Sequence, residues 1–232
     1  MDLTNQNSNE MTCEYCGKSF KRKHAFEVHV CTKKQRALQR DEKRVRYGLY
    51  AYNRFNRLSA GKKSEATYEQ FCNSQYYNAF VKFGSYISNV RPLYPERYID
   101  YVVTSGLKIK DWSKDEVYEN YVIDLVKRES AEVAIKRSLD TMIEWAEKNN
   151  SEWNHYFDYA NSNVAVWNIR DGKMSPWLIL NAPKGKNMLS GFDDQQLELI
   201  YPIINPDYWI NVFKRNSDDL RMINLLSEEF NL

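Results

Sequence analysis

The chain of 232 residues has ordinary globular composition, 43% hydrophobic and 28% charged with a net charge of +2, and no run approaches the roughly 18–20 apolar residues of a membrane span. Its eight glycines and six prolines are few, and no glycine-rich phosphate loop of either common type occurs, which argues against a nucleotide-binding α/β enzyme and for helices. The near-neutral total hides a split: residues 11–63 carry 15 basic and 4 acidic side chains, a net +11, whereas residues 64–232 carry 18 basic and 25 acidic, a net −7, and a basic head on an acidic body points to a polyanionic partner for the head.

In chain order, residues 1–10 (MDLTNQNSNE) read as a disordered polar tail. They lack the basic n-region and apolar h-region of a secretory signal, so a cytoplasmic location is expected. Residues 11–32 hold three of the four cysteines beside two of the three histidines, which in a reducing compartment points to a metal site before a disulfide framework. Residues 33–60 form a predicted basic amphipathic helix: Leu38, Val45, Leu49 and Tyr52 share a sector of about 60°, with the basic residues roughly opposite. Gly48 is a weak point of that helix, at about 1 kcal/mol against Ala. Ser59–Ser64 (SAGKKS) reads as the turn before an acidic, aromatic-rich helical domain at 64–232.

Helix-start signals recur through that domain. One long aromatic helix is predicted over Thr67–Asn89, and another from Pro95 to Val103, stopped by Ser105 and Gly106. Ser113 with Glu116 makes a capping box for a helix to Arg128, Ser130 caps Ala131–Lys148, Ser151 caps Glu152–Tyr159 and Asn161 caps Val164–Arg170. Ser175-Pro176 and Asn205-Pro206 each place a capping side chain before proline at the first helical position, and Ser217 starts a last helix to Phe230. Strand signals are nearly absent outside the cysteine cluster, so the fold class is mainly α with a multi-helix, bundle-like body. Tyr68, Phe71, Tyr76, Tyr77, Phe80, Phe83 and Tyr86 recur at helical spacing and read as core, as do the six tryptophans; an exposed subset of these would mark a partner surface. Cys72 reads as a small buried apolar residue.

Cys13, Cys16, Phe20, Phe26 and His29 stand as Cys-x2-Cys-x3-Phe-x5-Phe-x2-His. This resembles the C2H2-type zinc finger over residues 13–31, and the resemblance implies a ββα unit, one Zn2+ per chain and nucleic-acid binding. The spacing has a physical reason: two thiols on a tight turn, two phenylalanines as a core too small to fold without metal, and a histidine from the helix to close the site. The pattern departs from the family at the fourth ligand, because Lys33, Lys34 and Gln35 occupy the family's positions. Cys31 is the nearest donor, but two residues from His29 it would point about 200° away on a regular helix, so the helix must end near His29. His24 is the alternative, and an incomplete site is the third. By the family register Arg22, Ala25 and Val28 fall at base-reading positions; only Arg22 could pair with guanine, so a single finger here positions rather than specifies.

Lys21, Arg22, Lys23, Lys33, Arg36, Arg40, Lys43, Arg44 and Arg54, with Lys18 beside them, are candidate phosphate contacts, and Tyr47, with Tyr50 at the stripe's edge, is a candidate for stacking on unpaired bases. If about five charges engaged, affinity would fall with a slope near −4 to −5 in log salt. The expected function is a non-enzymatic accessory protein that binds DNA or RNA with weak sequence preference and presents its helical body to a protein partner. The same stripe suits a rival role as an adaptor docking an acidic protein, or the chain's own acidic body. A metal-dependent nuclease built on His155, Glu152 and Asp158 is the weakest reading, since such groups commonly share a solvated helix face. No membrane or small-molecule partner is indicated. A lone finger variant on an Asn- and Tyr-rich helical body is also similar to small proteins of large tailed bacteriophages, which implies a setting in phage DNA replication, transcription or packaging within the host cytoplasm.

Overall fold

The structure, a computed structural model, describes residues 10–61 and 63–232; apart from Glu10, the tail read at 1–10 lies outside the described residues. It is mainly α, with a two-stranded sheet and helix at the N-terminal end followed by a multi-helix body. Its contacts cluster into two compact units, one running to Arg91 and taking in Pro95–Ser113, the other combining Pro92–Tyr94 with Lys114–Leu232. Residues 64–91 and 95–113 thus pack with the basic helices in the first unit. Among the described residues no helix is long and apolar enough to cross a membrane.

In the first unit, β1 (Met11–Thr12) pairs antiparallel with β2 (Ser19–Phe20), Met11 opposite Phe20 and Thr12 opposite Ser19. The short α1 (Lys23–Glu27) follows. The helix predicted over 33–60 is two helices, α2 (Thr32–Leu38) and α3 (Lys43–Ala60). Between them Gln39 closes the first with its N–H on the Gln35 and Ala37 carbonyls, and Glu42, extended at φ −62° and ψ 135°, opens the second. Asp41 and Glu42 sit where the positive end of the α3 macrodipole favours a carboxylate. The helix predicted over Thr67–Asn89 is likewise divided into α4 (Tyr68–Cys72) and α5 (Tyr77–Val90). The break falls at Asn73 and Ser74, whose side chains bond the Glu69 carbonyl (3.1 Å) and the Tyr76 N–H (3.1 Å) and so compete with the helical ladder. α6 (Pro95–Thr104) and a 3-10 turn at Ile109–Asp111 complete the unit.

Gly48 is where α5 crosses α3. A Cβ there would lie 3.0 Å from the Phe80 carbonyl oxygen, and one on Gly84 would lie 1.9 Å from the Arg44 carbonyl oxygen. The two backbones meet with no room for a methyl, and the helical cost of Gly48 is offset by this approach. Around the crossing Phe71, Tyr77, Phe80, Phe83, Tyr98 and Trp112 are buried, with Trp112 Nε1 donating to the Leu107 carbonyl (3.0 Å) and Tyr98 Oη to the Trp112 carbonyl (2.9 Å). Trp112 and Tyr98 so keep their polar groups partnered, whereas the buried Tyr77 hydroxyl has no hydrogen-bond partner among the described residues. Tyr68 and Tyr86 are half-buried, and Tyr76, expected in the core, is 53% exposed because it sits in the turn between α4 and α5. Cys72 is half-buried.

The second unit contains α7 (Asp115–Arg128), α8 (Ala131–Asn149), α9 (Tyr156–Tyr159), α10 (Ser162–Arg170), α11 (Pro176–Ile179), α12 (Pro183–Ser190), α13 (Asp194–Ile204), α14 (Pro206–Arg215) and α15 (Ser217–Glu229). The predicted caps Ser130, Asn161, Ser175 and Asn205 accept the first free N–H groups of their helices. The capping box read at Ser113 does not form: α7 starts after Lys114, one residue later, with no side-chain cap. The segment after Ser151 opens as a 3-10 turn at Trp153–His155 with Glu152 at its N-terminal boundary and no side-chain cap, and only its last four residues are α-helical. Trp177 and Trp209 pack edge to face at 5.9 Å in the core, whereas Trp167 is 49% exposed beneath the Arg170 guanidinium at 4.7 Å.

Candidate metal centre and basic surface

The turn between β1 and β2 is built by Cys13, whose carbonyl accepts the Gly17 N–H (2.8 Å) while its own N–H reaches the Lys18 carbonyl (2.9 Å). Gly17 takes φ +73°, which a side chain would resist. Phe20 meets Phe26 edge to face at 6.0 Å and the His29 ring at a tilt at 4.7 Å, forming the small core. α1 then ends: Val28 caps it, and the His29 N–H closes a tight turn on the Phe26 carbonyl (3.2 Å). This early end resolves the two-residue spacing. Cys31 is extended at φ −92° and ψ 160° as the N-cap of α2, so it comes round to the same side as His29 instead of pointing away.

The ligand atoms of Cys13, Cys16, His29 and Cys31 all lie within 4.8 Å of one another, with Cys16 Sγ 3.3 Å from His29 Nε2. The group could hold a metal ion. His24 is not part of it; it is exposed in the last turn of α1. Backbone N–H groups serve all three sulfurs: those of Tyr15 and Cys16 face Cys13, that of Lys18 faces Cys16, and that of Lys34 reaches Cys31 Sγ at 3.3 Å. Burial pushes the Cys13 thiol up, but the amides of Cys16 and Tyr15 outweigh it and leave it below the ordinary thiol range. Cys16 moves the other way: the Lys18 amide lowers it, and burial with the neighbouring Cys13 and Cys31 sulfurs raises it above that range. Adjacent thiolates repel, and a cation among them removes the repulsion.

The expected basic stripe does not form one free surface. Lys21, Arg22, Lys23, Lys33, Arg40 and Lys43 are exposed, with Lys23 loosely paired to Glu27 at 3.7 Å. Arg36 is turned inward: it lies 4.2 Å from the Tyr77 ring centre, donates to the Cys72 carbonyl, and accepts Tyr68 Oη on its own carbonyl at 2.5 Å. Arg54 grips both oxygens of Asp100 on α6 (2.6 and 2.7 Å), and Arg44 bonds Glu42 (2.5 Å). Arg36 and Arg54 thus tie separate elements of the unit together, while Arg44 makes a local pair at the start of α3. Arg46, not singled out from the sequence, is exposed one turn before Tyr50 and lines a groove with Lys43, Tyr47, Tyr50 and Glu96. The i, i+4 relation of Arg46 to Tyr50 is the signal that would have found it.

In the second unit Asp158 pairs with Lys184 at 2.7 Å, and His155 packs on Tyr159 at 5.5 Å. Among the described residues His155, Glu152 and Asp158 do not converge as metal ligands. No protein-family model matches the chain, and neither the curated proteins nor the solved structures compared with it give a match.

Proposed function

We propose that the chain is a zinc-binding accessory protein without catalytic activity, which binds nucleic acid through its basic head and a protein partner through its second unit. Zinc suits the donor set. Three sulfurs and one imidazole form a soft, four-membered group, and tetrahedral zinc with Zn–S of about 2.3 Å and Zn–N of about 2.0 Å spaces its ligands by roughly 3.5–3.8 Å, compatible with donor atoms all within 4.8 Å of one another. Zinc would order residues 11–31 and so orient Lys21, Arg22 and Lys23.

The observation that carries the nucleic-acid reading is the set of exposed cations that no carboxylate pairs among the described residues: Lys21, Arg22, Lys33, Arg40, Lys43 and Arg46, of which Arg40 and Lys43 also lie over the Tyr68 and Tyr47 rings, and to which the loosely held Lys23 adds. Contacts of this kind bind phosphates without reading sequence. The zinc-loaded chain is expected to bind random single- and double-stranded DNA or RNA at about 50 mM salt, where phosphate contacts are strongest. Fluorescence anisotropy checks this, and no measurable binding at that salt refutes it.

One observation favours protein docking as a second reading for the same head. Val28, Val30 and Leu38 are 60%, 57% and 70% exposed around the exit of the finger, and Val28 holds a base-reading position without a hydrogen-bonding group. The exposed Trp167, Tyr159 and Tyr201 support the second unit as a partner surface.

A further inference from the structure

We infer that the groove between α3 and α6 is a slot for one unpaired nucleobase carrying an exocyclic amino group, so that the head prefers single strands and, among them, cytosine over thymine. This inference rests on the nucleic-acid reading and deepens it. The groove encloses about 390 Å3 and is lined by Lys43, Arg46, Tyr47, Tyr50 and Glu96. That volume lies in the range of small-molecule clefts, about 300–1,000 Å3. Tyr47 and Tyr50 are three residues apart, on one face of α3, and both are half-buried, so their rings flank the groove without closing into the core. Lys43 stands 5.8 Å from the Tyr47 ring centre and Arg46 is exposed beside it, which sets two cations where the phosphates flanking a stacked base would run.

Glu96 decides the occupant. A carboxylate in a phosphate-binding groove is a cost unless it meets a donor. Glu96 pairs with no cation among the described residues, although Lys43 and Arg46 line the same groove. Its field is felt at the Tyr50 hydroxyl, which burial first, then Glu96 and Asp100, hold above the ordinary tyrosine range. The Arg54–Asp100 pair, one turn further along both helices, fixes α6 against α3 and so fixes Glu96. An acidic peptide would meet repulsion from Glu96. The amino group of cytosine would instead donate to it, the pairing by which carboxylates read that base. Thymine and uracil offer only carbonyl oxygens at that position.

The test uses the full, zinc-loaded chain and compares short oligo(dC), short oligo(dT) and a duplex of equal length. Oligo(dC) is expected to bind about five- to tenfold more tightly than oligo(dT), as one charge-assisted hydrogen bond implies. Tyr50→Ala should weaken single-strand binding at least about fivefold, and Tyr50→Phe, which keeps the ring, should restore it. Glu96→Leu, at an exposed position in the first turn of α6, should bring the oligo(dC) to oligo(dT) ratio to about one. Duplex and single-strand binding with a ratio near one in the wild type, or a ratio unmoved by Glu96→Leu, overturns the slot and leaves the electrostatic reading standing. Absence of binding to all three overturns both.

Discussion

If the cluster holds zinc as proposed, Cys13→Ser is expected to release it and to unfold residues 11–31. The finger has little else to hold it: Phe20, Phe26 and His29 make up its core, all three are only half-buried, and the sheet has two residues per strand. Structural zinc contributes about 10–16 kcal/mol of apparent binding free energy in isolated zinc-finger units at pH 7, which in a unit with so small a core would be folding free energy. Native mass spectrometry should find one zinc in the wild type and none in the variant. Amide exchange should show lost protection across β1, β2 and α1, with the α3–α5 crossing still protected. The ligand thiols must lose their protons to bind, so zinc affinity falls as pH falls. Cys31→Ser should weaken zinc binding by orders of magnitude and His24→Ala should leave it unchanged; the reverse pattern would assign the fourth ligand to His24.

Glu129→Ala is expected to destabilise the second unit by about 3–5 kcal/mol, because it strands a buried guanidinium. Arg137 and Glu129 are 8% and 3% exposed at their side chains, and Arg137 Nη2 donates to Glu129 Oε1 at 2.5 Å while its Nε donates to the Gly172 carbonyl at 2.6 Å. Gly172 closes α10, so the pair ties α8 to the end of that helix. Urea unfolding should show a lower midpoint for the second unit's transition. Replacing both partners, Glu129→Leu with Arg137→Met, should recover much of the loss, since the cost lies in the unpaired charge more than in the missing bridge. A single variant as stable as the wild type would mean that water reaches Arg137.

The convergence of Cys13, Cys16, His29 and Cys31 was almost wholly legible in the sequence, and local chemistry explains why. Cys13, Cys16 and His29 lie within a segment where spacing alone dictates geometry. Even the condition for Cys31, that the helix stop near His29, could be stated in advance, and Val28 and Cys31 meet it by ending one helix and capping the next. Helix starts were legible wherever a Ser, Asn or Asp side chain could take a free N–H, as at Ser130 and Asn205. Breaks were not, because Asn73-Ser74 and Asp41-Glu42 interrupt helices whose apolar period continues across them. Long-range pairings were wholly hidden. Arg36 and Arg54 looked like solvent-facing cations on a helical wheel, yet Tyr77 and Asp100, 41 and 46 positions further along the chain, claim them. Gly48 read as a weakness for the same reason: its partner Gly84 lies on another helix.

The head as a zinc-ordered surface for polyanions is tested most directly by the salt dependence of single-strand affinity in the wild type and in a variant with Lys21, Arg22 and Lys23 all changed to Gln. Each phosphate contact on a single strand adds about −0.7 to the slope of log affinity against log salt. Removing three contacts should therefore make the slope shallower by about 2, with zinc content unchanged. An unaltered slope in a variant that still holds one zinc would contradict the assignment of the finger's exposed cations to nucleic acid.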